Sequence, residues 1–600
     1  MSYDRKRKVI MMMIATIIPV SLVPDIALAQ LLFGSSNNNY YGPSALELGV
    51  IRTMMMLISI GCGFALGWLM SPQARELRQL IFGVIAVIVV MIAMLSNSPL
   101  GWSLAMIVSV VGFFVGLGFW LGHLIGKLSE APTTFGSSKW ANAEELSANG
   151  LFGTEGICLG TAFDGESQST ISYNGDRHAL VVAPTRSGKG TTQIIPNLLT
   201  HEGSVMVIDP KGENALITAK SRLEMGQKVM VVDPWQIATI DGMQTARFNP
   251  LDWLVLGDPD ISENAMLLAD AIIVKTGDKE AFWDQMAVGY LQGAILYVAT
   301  DEHEAGQRHL PRVRDLMMLD GDDLRAFFER MLESPHHVVA STGARMLQMD
   351  EKLLSNVMAS VQSHTQFLDS PRLRENLSAS DFRFEDLKVE KMSVYLVIPA
   401  DRLQAFSPWL RLLVQQAITV NARNIEQKPE KPILFILDEM ATLGRLTMVE
   451  QAYGLMAGFG MQLYGVVQDL GQLKRVYGDG YETFIGNSGL IQYFGSRDRM
   501  SADYFSALCG ETTVWNFSTA ISRTFGSSSG KDGGSSSSSI TDTDTTAAAQ
   551  RKLAYPDELM RLPDDKQVVF IENMNPIIAT KVPWYEDDAL KSKGVNLHKS

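Results

Sequence analysis

A series of short, continuously apolar runs constrains this chain more than any other feature. His178–Val182, Ser204–Asp209, Lys228–Asp233, Met392–Ile398, Ile433–Leu437 and Leu463–Gln468 show almost no alternation of polar and apolar residues. Such runs are strands buried on both faces, and the helical segments between them imply a parallel sheet with helices packed on each side. The predicted fold class is therefore α/β. Ligands of open α/β sheets bind beyond the carboxyl ends of the strands, so the residues that close each run carry the chemistry.

Between Ile261 and Ser380 strand-like runs vanish, and Glu, Asp, Met, Leu and Ala at helical spacing take over, as in Glu263–Val274 and Trp283–Val298. This stretch reads as an all-α domain, 261–380, inserted in the α/β domain, whose two parts are 129–260 and 381–600. Within the second part, Gly526–Thr546 is rich in Ser, Gly, Thr and Asp and is expected to be a disordered loop.

Residues 1–128 differ in kind. Apolar runs at 48–70, 80–95 and 102–125 have lengths near that needed to cross a bilayer, and a shorter one at 9–24 carries two prolines. Arg5, Lys6, Arg7 and Lys8 precede the first run, Arg75 and Arg78 separate the second from the third, and Lys127 follows the last. The other loops hold no Lys or Arg, so a transmembrane anchor of about four helices is expected, with the N-terminus and the large C-terminal part both cytoplasmic. The first run, followed by Ala27-Leu28-Ala29, also fits a cleaved signal peptide, and either reading leaves the later spans in the same orientation. Outside this region 43 basic and 61 acidic residues remain, a net charge of about −18. A surface so acidic does not attract nucleic acid in general, so contact with DNA must be local, as inside a pore. The three cysteines, Cys62, Cys158 and Cys509, are too scattered for a zinc site, and His303, His336 and His337 lack companion ligands.

Straight after Leu180-Val181-Val182 comes Ala183-Pro184-Thr185-Arg186-Ser187-Gly188-Lys189-Gly190, a phosphate-binding loop altered at two positions. The usual form is Gly, four residues, Gly-Lys, then Ser or Thr; here Ala183 replaces the first glycine and Gly190 the magnesium-binding hydroxyl. Gly188 lets backbone N–H groups approach phosphate oxygens, and Lys189 reaches the β and γ phosphates. Ile433–Leu437 then ends in Asp438-Glu439, which supplies a magnesium ligand in Asp438 and a proton acceptor for the attacking water in Glu439. Gln468, closing another run, is expected to orient that water. Thr191, Thr192 or a water must take the metal position that residue 190 leaves open. Nucleotide hydrolysis with ATP and Mg2+ is the predicted chemistry.

Phe135–Ala141, Ala183–Gly190, Asp209-Pro210-Lys211-Gly212-Glu213, Phe248–Asp252, Ser378–Phe382 and Leu437–Gly444 follow one another in the order found in a known family. With Gln468-Asp469, Gln472-Leu473-Lys474 and the ending around Arg551, Pro556 and Leu562-Pro563, they resemble the TraG-type coupling proteins of type IV secretion and conjugation over about residues 135–587. The resemblance implies an inner-membrane, multi-pass ATPase with a RecA-like P-loop domain interrupted by an all-α domain. It also implies assembly as a ring hexamer that takes relaxase-bound DNA or effector proteins and hands them to other inner-membrane components of the secretion channel. In that frame Gly190 is a family variation. A ring ATPase is expected to supply an arginine finger in trans. Tyr453–Gln462, where some coupling proteins carry it, holds no arginine, which leaves Arg445 and Arg497. Asp209, Lys211 and Glu213 either border the nucleotide or the neighbouring subunit, or form a structural turn. Two other readings stand beside this one: a recruitment receptor whose nucleotide supports assembly with little hydrolysis, and a chromosome-segregation DNA translocase. The helical insertion and the lack of a winged-helix module after Lys552 count against the translocase.

Overall fold

A computed structural model describes residues 136–273, 281–530 and 533–597. The apolar runs expected to span the membrane at 9–24, 48–70, 80–95 and 102–125 lie outside the described residues. Among the described residues no helix is long and apolar enough to cross a membrane. The chain divides into two compact units, one of which takes Ser138–Glu511 with Lys552–Ser600, the other Thr512–Arg551 with the N-terminal residues.

The larger unit is built on an eleven-stranded sheet. In chain order its strands are β1 (Ile157–Phe163), β2 (Gln168–Tyr173), β3 (Ala179–Val182), β4 (Val205–Asp209), β5 (Lys228–Val232), β6 (Met392–Val397), β7 (Ile433–Leu437), β8 (Met461–Val467) and β9 (Leu490–Tyr493). After β10 and β11, which form a separate ribbon, come β12 (Lys566–Ile571) and β13 (Ile577–Thr580). The spatial order is β2-β1-β13-β12-β9-β3-β8-β7-β4-β6-β5. From β9 to β5 every pair is parallel, while β12, β13, β1 and β2 extend that sheet antiparallel.

The continuous apolar runs have the predicted consequence. Leu180, Val182, Met206 and Ile208 enter one core, and Ala179, Val181, Val205 and Val207 enter the core on the opposite face. A strand with both faces covered has no position at which a polar side chain reaches water.

Between β5 and β6 the chain is helical, including Ile261–Ile272, Ala281–Thr300, Leu310–Met317, Gly321–Leu332, His337–Gln348 and Glu351–His364. Its centre is Ala281–Thr300, where Tyr290, Leu291, Ala294, Ile295, Tyr297 and Val298 are all buried, so this helix is apolar round its circumference. Beyond residue 380 a separate short helix, Asp386–Val389, follows; its Leu387 packs inward and the buried Lys388 ammonium donates to the Asn421 carbonyl at 2.8 Å.

In the smaller unit β10 (Glu511–Gly530) pairs with β11 (Gly533–Lys552). The tract 526–546, expected as a disordered loop, thus falls mostly within paired strands. A two-stranded ladder pairs main-chain groups whatever the side chains are.

Candidate nucleotide site

Strand order brings the site together. The glycine loop leaves β3, Asp438-Glu439 leave β7, and β8, which ends just before Gln468, lies between them. Because all three strands are parallel, their carboxyl ends open on one edge of the sheet.

Neither alteration of the loop strains it. Positive φ occurs at Arg186 (64°) and Gly188 (85°), not at Ala183, which is buried and donates its N–H to the Val467 carbonyl at 2.9 Å. A Cβ at Gly190 would meet nothing within 4 Å, so room for a serine or threonine exists there. Beyond the loop, Gly190–Ile194 form a π-helical turn that passes into the α-helix Ile195–Thr200. The wide turn precedes Pro196, and this residue without an N–H occupies the start of the α-helical part.

Four expected residues meet here. The Lys189 ammonium lies 2.8 Å from Asp438 Oδ1 and 2.5 Å from Glu439 Oε1. Gln468 Nε2 donates to Glu439 Oε2 at 2.9 Å, and its own Oε1 accepts from Gln472 Nε2 at 3.2 Å. Glu439 adopts a left-handed backbone (φ 57°), an uncommon state for a residue with a side chain, and the turn is held by Thr442 Oγ1 donating to the Glu439 carbonyl at 2.7 Å. Burial opposes charge on Lys189, but the two carboxylates outweigh it and hold its pKa above the usual value. Burial also pushes the Asp438 carboxyl up, and Lys189 offsets this only in part. Asp209, buried at the end of β4, accepts from the Ala215 N–H at 2.9 Å; burial raises it to about 7, with Asp438 adding to the rise. It stabilises the start of the helix Glu213–Glu224 and so serves as a structural turn.

Thr191 does not point a free hydroxyl outward. Its Oγ1 donates to the Gly188 carbonyl at 3.1 Å, and Thr192 Oγ1 donates to the same oxygen at 2.9 Å. The donor set of Asp438 and a threonine hydroxyl is all oxygen, which suits Mg2+ completed by phosphates and waters. Ser187 Oγ is buried in the loop with no partner, an unfilled polar position where a phosphate oxygen fits.

Sequence reasoning missed the far wall of the site. A cavity of about 920 Å³ is bounded by Pro184–Gly188 and Thr191 on one side and by Phe494, Arg497, Lys581 and Tyr585 on the other. Lys581 donates to the Ser187 carbonyl at 3.0 Å, and the Trp584 N–H to the Thr191 carbonyl at 2.9 Å. No local motif marks these residues; parallel pairing of β9 with β3 delivers Phe494 and Arg497, and antiparallel pairing of β12 with β9 and β13 delivers Lys581 and Tyr585. Arg497 lines the chain's own cavity, which does not suit a finger for a neighbour, whereas Arg445 is largely exposed and pairs with Glu450 at 3.3 Å.

A family model for type IV secretory system conjugative DNA transfer matches residues 139–600. The chain is 28% identical over 467 residues to VirD4 of Rhizobium radiobacter, an alignment covering 76% of this chain and 64% of that protein. It is 28% identical over 544 residues to the conjugal transfer protein TraG of Escherichia coli, covering 82% of each. Among solved structures, unbound TrwBΔN70, a bacterial conjugative coupling protein, superposes with a TM-score of 0.54 at 17% identity, over 76% of this chain and 95% of that one. TrwB in complex with the ATP analogue ADPNP gives the same score at 16% identity, over 76% and 96%. The mixed α/β sheet thus has the fold of TrwB, and this chain belongs to the type IV secretory system conjugative DNA transfer family as a TraG-type coupling protein.

Proposed function

We propose that this chain is a membrane-anchored ATPase that recruits cargo to a type IV secretion apparatus and uses ATP hydrolysis to deliver it. The observation that carries the reading is the convergence of Lys189, Asp438, Glu439 and Gln468 beyond three adjacent parallel strands. Loop amides from Thr185 to Thr191, with the Ser187 hydroxyl, receive the phosphates. Lys189 exchanges its two carboxylates for the β and γ phosphates, which frees Asp438 as a metal ligand and Glu439 as the base that takes a proton from water. Gln468, already held by Gln472, keeps Glu439 and that water in line. Mg2+, when bound, neutralises charge on the transferring phosphoryl group. Asp438 and Thr191 would hold it, the threonine hydroxyl having to turn away from the Gly188 carbonyl to do so. TrwB has been crystallised with ADP and Mg2+, which supports the same pair of ligands here.

The basic residues beside the apolar runs of residues 1–128 support a multi-pass protein of the bacterial inner membrane with the ATPase on the cytoplasmic side. Family membership supports a ring hexamer that engages inner-membrane secretion components and takes a relaxase–DNA complex, an effector protein, or both. The acidic balance favours DNA contact confined to a pore. Turnover of ATP by the full chain tests the reading: wild type hydrolyses ATP with cargo present, while Lys189→Ala and Glu439→Gln do not. The engaged Thr191 hydroxyl and the missing residue-190 hydroxyl favour one second reading, a recruitment receptor that binds nucleotide without hydrolysis. Nucleotide-dependent assembly with no turnover would select it.

A further inference from the structure

We propose that Lys581 is a second phosphate-binding lysine, contacting the α- and β-phosphate end of the nucleotide while Lys189 serves the γ end. The proposal rests on the nucleotide-site reading above and assigns a role that the loop motif does not contain.

Lys581 follows β13 directly and is buried, with 6% of its surface exposed. Its ammonium sits 3.0 Å from the Ser187 carbonyl and 4.2 Å from the centre of the Phe494 ring. An ammonium has three donors, and one carbonyl with one ring face leaves it poorly matched for a buried charge. Asp564 and Asp565, on the turn before β12, act on it only at a distance and do not overcome its burial, which lowers its pKa to about 8. The other charged groups of the cavity are Arg186, Arg497, Arg561 and Glu586. An anion in this cavity relieves that mismatch, and the partnerless Ser187 Oγ lies in the same stretch of loop.

Position decides which part of the anion is met. Lys189 reaches away from the cavity wall toward Asp438 and Glu439, where hydrolysis takes place. Lys581 approaches the loop at Ser187, on the side bounded by Thr191 and Tyr585. Its backbone is held close by the Trp584 N–H on the Thr191 carbonyl, and Trp584 is packed with Ile195, Leu199, Ile217 and Leu590. The lysine therefore arrives on a rigid support and needs no γ-phosphate to find a partner.

The test is binding of a fluorescent ADP to the full chain. Lys581→Met keeps the apolar stem over Phe494 and is expected to weaken ADP binding by about ten-fold or more, as for loss of a charge-assisted contact. Lys581→Arg should recover part of that loss, and the unliganded Lys581→Met protein should melt as wild type does. In wild type, the bound phosphates raise the lysine pKa above its free value of about 8, so affinity is full below that pH and declines as pH rises through it. Lys581→Met should flatten this decline. ADP binding unchanged in Lys581→Met while Lys189→Ala abolishes it would overturn the proposal and leave the nucleotide site standing. ADP binding unaffected by either variant would overturn the site itself. If Lys581→Met does not fold, the wild-type pH profile decides: affinity flat from pH 7 to 9.5 refutes the assignment.

Discussion

The ammonium of Lys189 rests 2.5 Å from Oε1 of Glu439, so the phosphate-binding cation is paired with the residue assigned as the catalytic base. One ammonium faces two carboxylates, so the cluster keeps an excess of negative charge, and a phosphate that draws Lys189 away releases both acids. Lys189→Ala leaves Asp438 and Glu439 facing each other without a cation. Breaking such a buried pair costs about 3–5 kcal/mol. Thermal melting should show this loss, together with the disappearance of stabilisation by added ATP and Mg2+.

Glu439→Gln preserves size, and the side chain still has an oxygen to accept from Gln468. It should bind ATP as tightly as wild type and hydrolyse it at least about 100-fold more slowly, since a positioned base contributes on that order. Gln468→Ala should also lower kcat while leaving nucleotide affinity near wild type. Equal losses in affinity and rate would place Gln468 in ground-state binding.

Gly190→Ser tests the altered loop. The site has space for the new side chain, and its hydroxyl restores the usual metal position. The expected outcome is a lower Mg2+ concentration for half-maximal ATPase activity, with Thr191→Val raising that concentration in wild type but not in Gly190→Ser.

His178 links the site's central strands to acid stability. Its Nδ1 accepts from the Leu463 N–H at 3.1 Å, so Nε2 carries the proton shared with the Ala452 carbonyl at 2.8 Å, and the ring is neutral. Burial lowers its pKa to about 4, and His201 is lowered likewise. A depressed histidine stabilises the fold fully above its unfolded value near 6.5 and loses that contribution as pH falls toward 4. Each contributes roughly 3 kcal/mol, so stability measured by denaturant should fall steeply across that window, and less steeply in His178→Gln.

Arg222 is fully buried and donates to the Leu198, His201 and Gly203 carbonyls, to Ser393 Oγ at 2.9 Å and to Gln227 Oε1 at 2.8 Å. It ties the end of the loop-following helix to β6. Arg222→Ala leaves several buried acceptors unpaired and should cost about 4 kcal/mol or more in equilibrium unfolding. Arg222→Lys should rescue little, because one ammonium cannot span the fork.

Much of the site was legible because its parts are strand ends. Apolar runs locate β3, β7 and β8, and the residues that follow them are Ala183, Asp438 and Gln468. Periodicity could not supply the order β3-β8-β7, which is what sets Gln468 between loop and carboxylates. Lys581, Phe494 and Tyr585 left no local signal, since Phe494 reaches the loop through the parallel pairing of β9 with β3, and Lys581 and Tyr585 through the antiparallel pairing of β12 with β9 and β13. Composition at the Ser-rich tract reports the lack of a core and is silent on main-chain pairing, which is what β10 and β11 show.

The central claim is that hydrolysis at Glu439 drives delivery of cargo. Its most direct test is transfer frequency in donor cells that lack this protein and carry wild type, Lys189→Ala or Glu439→Gln at equal membrane abundance. The account predicts transfer with wild type only, with Glu439→Gln still binding ATP. Normal transfer by Glu439→Gln, with ATP hydrolysis abolished, would contradict it.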